Sequence, residues 1–308
     1  MEYPAGNQVI EAKRLTLAAL PLRIRNSLSS RLETRRWKSH EARKEKHLRE
    51  FRETPAGPIF IFGCQRSGTT HVERLFRADP RSRVFGEFSA LSVTPDHTVW
   101  QGRAAMQHIL AEQPGAYWVI RSLLASHSIV DILNDWPEST AIWIFRDANS
   151  VVDSMIRKWQ GDFRIVSERV ETDLSGQWAL RGQWDEIEAE AKALAPEAEG
   201  EAHWRNLYAL FWLARNQLVV DLDLPGHPRV LLSDYADFTR APDRWLSVLL
   251  GRAGLSASAA SYPLETRPAA RDTSHKPRFS PEIQARCDAL YTVLCDAARS
   301  DRDLVGGT

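Results

Sequence analysis

Cysteine is scarce in this chain of 308 residues, which contains only Cys64, Cys287 and Cys295. So few cysteines cannot form a framework of several disulfides, and they lack the Cys-x-x-Cys spacing of zinc sites. The first residues also lack a basic segment followed by an apolar one, which would mark a secretory signal. We therefore expect a cytoplasmic protein that holds no metal.

Long apolar segments and an excess of one charge are also absent. The longest apolar run, residues 207–214, has eight residues, whereas a helix needs about 20 to cross a bilayer. The 40 Lys and Arg balance the 40 Asp and Glu, which argues against a generally basic nucleic-acid binder. With 43% hydrophobic and 26% charged residues, the composition is that of a folded globular protein.

The charge is unevenly distributed along the chain. Residues 1–53 carry thirteen Lys or Arg and seven Asp or Glu, a net charge of +6. We predict that residues 1–54 form a basic helical extension. Its residues 10–53 either touch a membrane surface as an amphipathic segment or pack on the domain as a solvated helix, and both interpretations stay open. Whether the protein forms a homodimer also stays open.

From residue 55 onward, short apolar segments alternate with segments of helical periodicity. This alternation is typical of a parallel sheet covered by helices on both faces, so we predict an α/β domain over 55–308. A turn is predicted at 55–58 from its proline and glycine. The predicted strands are 59–62, 83–85, 117–120, 141–145 and 229–232, and the predicted helices are 70–78, 104–112, 123–134, 150–158, 185–194, 204–221, 243–253 and 281–299. No strand separates the helices at 185–194 and 204–221, so residues 160–225 form a predicted helical insertion.

A phosphate-binding loop is predicted between the first strand and the first helix. Backbone N–H groups at a helix N-terminus point toward an anion, and the helix dipole favours its charge. Glycine lets the backbone approach the ligand closely, and hydroxyl side chains add donors. The predicted loop residues are Gln65, Arg66, Ser67, Gly68, Thr69 and Thr70.

This loop differs from that of nucleoside triphosphatases, which reads Gly-x4-Gly-Lys-[Ser/Thr] and whose lysine reaches the β- and γ-phosphates. Here Thr69 stands in place of the lysine, and the positive charge lies earlier, at Arg66. The sequence favours a ligand with fewer phosphates over a triphosphate with Mg²⁺. A tight turn with an incidental arginine is the alternative interpretation.

A second anion site is predicted where the fourth strand ends. Arg146 follows that strand, and Ser154 lies eight residues further on, in the next helix. Because ligands gather at the carboxyl ends of parallel strands, Arg146 should lie on the same edge as the loop. Its planar guanidinium suits a phosphate, and Asp147 should cap the helix. A surface arginine beside a cap is the alternative.

Together the two motifs resemble those of sulfotransferases that use 3′-phosphoadenosine 5′-phosphosulfate (PAPS). In that family an Arg-Ser-Gly-Thr-Thr loop holds the 5′-phosphosulfate, which matches 66–70, and an Arg with a Ser eight residues on holds the 3′-phosphate, which matches Arg146 and Ser154. The segment 231–238 is also similar to a late strand of the family, so the resemblance covers about 58–255. It implies a P-loop-like three-layer fold, with a central parallel sheet between helices, and PAPS as the co-substrate, without a metal.

The resemblance also implies a general base. One branch of the family uses a His just after the third strand, where this chain has Leu123. The other, similar to tyrosyl-protein and several bacterial sulfotransferases, uses a Glu just after the second strand, which matches Glu87. We predict Glu87 as the base that accepts the acceptor's proton. A surface or capping glutamate is the alternative.

Further site residues are suggested by position alone. Arg121, where the family has a Lys, either steadies the sulfuryl group or the acceptor as a catalytic residue, together with Arg66, or forms a structural ion pair. His71 faces either the core or the pocket, and we interpret His127 as structural. The segment Ser274, His275 and Lys276 falls where the family places a basic loop over the nucleotide.

The acceptor is expected to bind at the insertion, because binding diversity concentrates in such segments. Its tryptophans either stack on the acceptor or fill a helical core; they are Trp159, Trp178, Trp184, Trp204 and Trp212. Residues 161–202 carry four Lys or Arg and eleven Asp or Glu, a net charge of −7, which either attracts a basic acceptor or forms a solvated face. A small molecule, a glycan, a lipid and a peptide all remain open. The competing functions are a non-catalytic nucleotide-binding scaffold and an ATP-dependent kinase.

Overall fold

The computed structural model describes residues 37–50, 56–86, 89–94, 97–98, 102–159, 183–256 and 278–306. The chain divides into two units, Met1–Lys46 and His47–Thr308. Residues 37–48 form helix α1. The predictions that fall on residues 1–36 lie outside the described part of the chain.

The central element is a five-stranded sheet whose strands are short and apolar. They are β1 (Ala56–Gly63), β2 (Ser82–Phe85), β5 (Tyr117–Arg121), β6 (Thr140–Phe145) and β7 (Val230–Asp234). All neighbouring strands pair in parallel, in the order β2-β5-β1-β6-β7. Two short strands, β3 (Ser92–Thr94) and β4 (His97–Thr98), form a separate antiparallel pair. The predicted α/β fold with a parallel sheet is therefore confirmed.

Helices follow the strands in alternation. They are α2 (Thr69–Ala78), α3 (Arg103–Ala111), α4 (Ile129–Asp135), α5 (Ala148–Trp159), α6 (Gln183–Leu194), α7 (Gly200–Asp221), α8 (Tyr235–Arg240), α9 (Pro242–Arg252), α10 (Pro281–Ala297) and α11 (Arg299–Gly306), with a 3₁₀ segment at Leu123–Ser128. Of the predicted insertion, the structure describes residues 183–225, and these contain α6 and α7. Within the described residues, no helix combines the length and the apolar character that a membrane crossing requires.

The chain reverses its direction of travel across the sheet at β1. From β1 it runs outward to the edge strand β2, returns to β5, and then crosses to β6 on the other side of β1. In open parallel sheets, ligands bind at such a switch point, in the crevice outside the carboxyl ends of the strands. The sheet order thus places a candidate site at the carboxyl end of β1.

The predicted turn at 55–58 is wrong, because Ala56–Gly63 is one strand. The register of its pairing with β5 shifts between Ala56 and Ile59, so Gly57 and Pro58 lie at an irregularity within the strand. A β-carbon on Gly57 would lie 2.1 Å from the Glu138 carbonyl oxygen. Glycine therefore serves a close backbone approach here, and the proline falls where the ladder is already interrupted.

Both faces of the sheet are buried, as the continuous apolar strands require. One core cluster includes Phe62, Trp143 and α7 residues such as Phe211, and the other includes Ile61, Val72 and Trp245. Each strand therefore contributes alternate side chains to two cores. This double burial fixes the strand ends, and hence the loops that follow them.

Candidate functional site

The loop between β1 and α2 has a tightly constrained backbone. Gly63 has a φ of 139°, and a β-carbon there would lie 2.2 Å from the Ile144 carbonyl oxygen. Arg66 adopts a φ of 70°, a left-handed conformation that residues other than glycine rarely take and that is typical of functional loops. The loop therefore holds the Arg66 backbone in a constrained conformation, three residues before α2 begins.

Tyr235 forms the wall behind this loop. Gly68 has a φ of 106°, and a β-carbon there would lie 2.2 Å from the Tyr235 ring. The ring is positioned because Asp234, the last residue of β7, caps α8 by accepting a hydrogen bond from the Ala236 N–H at 3.0 Å. Asp234 also accepts a hydrogen bond from the Tyr291 hydroxyl at 2.7 Å. Two segments distant in sequence, at 234–236 and at Tyr291, thus support the loop.

The two predicted anion motifs meet. The Arg66 Nε donates a hydrogen bond to the Ser154 Oγ at 3.1 Å, across 88 residues of sequence. This contact joins the first loop to helix α5, on the carboxyl edge of the sheet. The sequence predicted that Arg146 and the loop share this edge, and the loop residue Arg66 contacts Ser154, the second residue of the Arg146 motif.

Arg146 lies between Tyr235 and its neighbour Asp147. Its guanidinium carbon is 5.2 Å from the centre of the Tyr235 ring, within the range of a cation–π contact. Its Nε is 3.9 Å from the Asp147 carboxylate. Asp147 is occupied with capping, as predicted, since it accepts a hydrogen bond from the Ser150 N–H at 2.8 Å. Burial raises the pKa of Asp147.

Several buried polar atoms around this point lack a hydrogen-bond partner within the described residues. Two of them can donate: the Ser67 Oγ and the Arg146 Nε. The Gln65 Oε1 and the Asn149 Oδ1 are in the same condition. Buried polar groups are normally paired, so donors that the protein leaves unpaired on one edge are suited to an anionic ligand.

His71 faces Tyr235 and Phe238. Its Nδ1 shares a hydrogen bond with the Tyr235 hydroxyl at 3.0 Å, and its ring meets the Phe238 ring edge-on at 6.2 Å. Burial, and then the Arg74 cation, lower the pKa of His71. Burial raises the pKa of Tyr235, and the Arg146 cation opposes this rise. The pair is therefore neutral at physiological pH.

Arg121 forms an ion pair, one of the two interpretations left open above, with a partner that the sequence did not identify. Its Nε donates to the Glu73 Oε2 at 2.5 Å, and Arg77 Nε donates to the other oxygen at 2.7 Å. A β-carbon on Gly86, after β2, would lie 3.1 Å from the same carboxylate. Glu73 thus links the ends of β2 and β5. The only signal in the sequence is the spacing of Glu73 and Arg77, which brings them together on a helix.

Four predicted site residues lie outside the described part of the chain: Glu87, Ser274, His275 and Lys276. Arg278, two residues after Lys276, forms an ion pair with Asp153, which is next to Ser154. Asp153 also pairs with Arg205 of α7 at 2.8 Å.

The tryptophans of the insertion divide into described and undescribed ones. Trp159 and Trp204 pack against the core cluster and meet Tyr208 at ring distances of 5.8 and 6.1 Å. Trp212 is buried, and its Nε1 donates to the Arg146 carbonyl at 2.9 Å. These three support the core interpretation. Trp178 and the Trp184 side chain lie outside the described residues.

Comparison with known proteins agrees with the first motif. Residues 58–108 match a sequence model described as the sulfotransferase family. The matched segment contains the loop and the position of Glu87, and it ends before Arg146. For this segment, the match agrees with the family resemblance stated above. A search of curated proteins finds no match.

Solved structures similar to this chain include three sulfotransferases. One is from Alicyclobacillus acidocaldarius, with 14% identity over 81% of this chain and 96% of that chain and a TM-score of 0.45. A mouse sulfotransferase complexed with PAP has 13% identity over 86% of this chain and 93% of that one, with a TM-score of 0.46. The sulfotransferase domain from the curacin biosynthetic pathway has 14% identity over 77% of this chain and 83% of that chain, with a TM-score of 0.38.

Proposed function

We propose that this protein is a sulfotransferase that transfers the sulfuryl group of PAPS to a hydroxyl or amine of an acceptor and releases 3′,5′-ADP. The observation that carries the proposal is the contact between Arg66 and Ser154 at 3.1 Å. It brings together the residues that the resemblance assigns to the 5′-phosphosulfate and to the 3′-phosphate. The sulfotransferase family match over residues 58–108 supports the same function.

The donor set fits a nucleotide with two separate phosphate positions. Arg66, the Ser67 hydroxyl and the N–H groups that open α2 would hold the 5′ end. Arg146 and Ser154 would hold the 3′-phosphate, for which the Arg146 Nε is left without a hydrogen-bond partner. Thr69 stands where a triphosphatase has lysine, so the loop lacks the cation that reaches a β- and γ-phosphate.

In the proposed reaction, Glu87 accepts the proton of the acceptor as its oxygen or nitrogen attacks the sulfur. Bound PAPS supplies the sulfuryl group that is transferred. Arg66 and Arg121 stabilise the negative charge that develops on the transferred group and on the leaving phosphate. Glu73 holds Arg121 in place through its 2.5 Å ion pair and so limits the rearrangement that this role requires.

Thermal melting tests the donor site. A ligand that binds only the folded protein stabilises it by mass action, by about 2.7 kcal/mol at one hundred times its Kd. We expect 3′,5′-ADP to raise the melting temperature and ATP with Mg²⁺ at the same concentration to have little effect. Stabilisation by ATP with Mg²⁺ alone would indicate a kinase, and stabilisation by neither would contradict the donor site. Stabilisation by 3′,5′-ADP without turnover of any acceptor would favour a scaffold.

A further inference from the structure

Helix α7 carries a fully buried arginine that the donor site does not use. Arg215 has an exposed fraction of 0%. Its Nη2 donates a hydrogen bond to the Leu123 carbonyl oxygen. Its Nε and Nη1 have no hydrogen-bond partner within the described residues. The three guanidinium nitrogens are therefore buried, and within the described residues they donate one hydrogen bond between them.

The titratable groups near Arg215 do not neutralise it. Burial lowers the pKa of Arg215 to about 10, so the side chain stays charged at neutral pH. Burial raises the pKa of the neighbouring Cys64 thiol to about 12, which leaves the thiol neutral. Burial first, and then the Arg215 cation, lower the pKa of His127, which is neutral too. Neither neighbour supplies a negative charge.

A cation in this position is expensive to keep. Transfer of an ion from water into a protein interior costs several kcal/mol even after relaxation, and a packed apolar side chain of similar size often replaces a buried ion without loss of stability. A single backbone carbonyl satisfies one donor and provides no net charge. The retained guanidinium therefore points to a negative partner that the described residues do not supply.

The location of Arg215 indicates where this partner binds. Cys64 directly follows β1, and Leu123 begins the 3₁₀ segment just after β5. These neighbouring strands end on the edge that carries the proposed donor loop. The two phosphate positions of the donor already have their own cations, Arg66 and Arg146. The remaining molecule that must approach this edge is the acceptor.

We propose that Arg215 binds an anionic group of the acceptor, a carboxylate, a sulfate or a phosphate, and so selects acidic acceptors. This inference rests on the proposed sulfotransferase function. It decides against the basic acceptor that the net charge of −7 over residues 161–202 would allow. The planar guanidinium, with two donor positions unused, suits the paired oxygens of such a group.

Melting of the full chain with simple carboxylates tests this inference. The probes are acetate and 4-hydroxybenzoate, with acetamide and 4-hydroxybenzamide as their neutral counterparts, at constant ionic strength. We expect a carboxylate at about ten times its Kd to raise the melting temperature of the wild type by ~2 °C. The amides should have no effect. Arg215→Met should lose the response to carboxylates and should be at least as stable as the wild type without them.

Two further variants keep the test decisive. Arg215→Lys retains the charge but lacks the paired N–H donors of the planar guanidinium, so its melting temperature should respond only at about tenfold higher carboxylate concentration. This variant also decides the outcome if Arg215→Met does not fold. Arg229→Met is the matched control, because Arg229 also donates to backbone carbonyls, among them that of Leu133 at 2.5 Å. It should keep the full carboxylate response.

Equal responses of the wild type and Arg215→Met, or no response of the wild type to either carboxylate, would overturn the inference. In the second case Arg215 is a structural residue or is solvated by buried water. The same samples are melted with 3′,5′-ADP. If 3′,5′-ADP does not raise the melting temperature of the wild type, the sulfotransferase function is contradicted. A carboxylate response that depends on Arg215 would in that case still show an anion-binding site at Arg215.

Discussion

At the scale of single residues, the site is marked by polar groups that the fold buries and does not pair. The Ser67 side chain is fully buried with its hydroxyl unsatisfied, and Arg146 leaves its Nε unsatisfied while its guanidinium rests on Tyr235. An unsatisfied buried donor costs about 1–3 kcal/mol. A bound anion removes this cost, so the stability of these positions is linked to ligand binding.

The base assignment predicts a specific loss of activity. Glu87→Gln keeps the size of the side chain and removes its ability to accept a proton. Turnover should fall by about 10²-fold or more, while the affinity for 3′,5′-ADP measured by calorimetry stays within about twofold of the wild type. Glu201→Gln is the control, because the Glu201 side chain is 63% exposed and, among the described residues, pairs with Arg205 of the same helix. Near-normal turnover of Glu87→Gln would remove Glu87 from the mechanism.

The sequence predicted some of these residues and missed others for a physical reason. Arg66 and Arg146 could be placed on one edge, because each follows a recognisable strand. Glu73 and Arg215 could not, since their importance depends on partners distant in sequence: Arg121 for the first and the Leu123 carbonyl for the second. The one signal for Arg215 was a charged residue just after the apolar run 207–214.

At the scale of elements, the loop between β1 and α2 depends on the absence of a side chain. Gly68→Ala places a methyl group 2.2 Å from the Tyr235 ring at a φ of 106°. We expect this change to displace the loop or the ring and to lower the free energy of unfolding by about 1–3 kcal/mol for the backbone alone. It should also weaken the binding of 3′,5′-ADP by at least tenfold. Urea unfolding and calorimetry measure the two effects.

Gly226→Ala separates the backbone cost from the steric one. Gly226 also has a positive φ, 73°, but no atom lies within 4 Å of its added β-carbon. This control should lose about 1 kcal/mol of stability, the usual cost of a left-handed residue, and should bind 3′,5′-ADP normally. Equal binding by the two variants would contradict the role given to Gly68.

Strand and helix positions were largely predictable, because short apolar runs and helical periodicity dominate this sequence. The differences have local causes. Helix α8 was not predicted, since it has only six residues and depends on the Asp234 cap. The predicted helix at 123–134 begins instead as a 3₁₀ segment, Leu123–Ser128. The β3–β4 pair has strands of three and two residues, too short for a periodic signal.

At the scale of the whole molecule, the order β2-β5-β1-β6-β7 determines which loops converge. The alternation of elements predicted a parallel sheet, but the order of its strands depends on how helices pack over both faces, which a single sequence does not display. The order brings the loop after β1 between those after β5 and β6. Arg66, Arg121 and Arg146 therefore share one edge.

Partly buried histidines make the stability of the whole chain depend on pH. Burial lowers the pKa of His71, His127 and His227 below the ordinary value of 6.5. Below about pH 6.5 these histidines therefore bind more protons in the unfolded chain than in the folded chain. Their contribution to the free energy of unfolding is fully present above that pH and is lost as the pH falls. The loss is at most about 1.4 kcal/mol per pH unit for each histidine.

Urea unfolding at pH 7.5 and pH 5.5 measures this effect. The free energy of unfolding should be lower at pH 5.5, and His127→Gln should reduce the difference between the two values. His127 is suited to this variant because it lies outside the proposed donor site. An unfolding free energy that is equal or higher at pH 5.5 would contradict this account of the three partly buried histidines.

The central claim is that Arg66, Ser154 and Arg146 form one site for a nucleotide with two separate phosphates. The most direct measurement is calorimetric titration of 3′,5′-ADP and 5′-AMP into the wild type and Arg146→Ala. A charge-assisted contact to the 3′-phosphate contributes about 1.5–3 kcal/mol. We predict that the wild type binds 3′,5′-ADP about 10–100-fold more tightly than 5′-AMP and that Arg146→Ala loses this preference. Equal affinities in the wild type, or an unchanged preference in the variant, would contradict the claim.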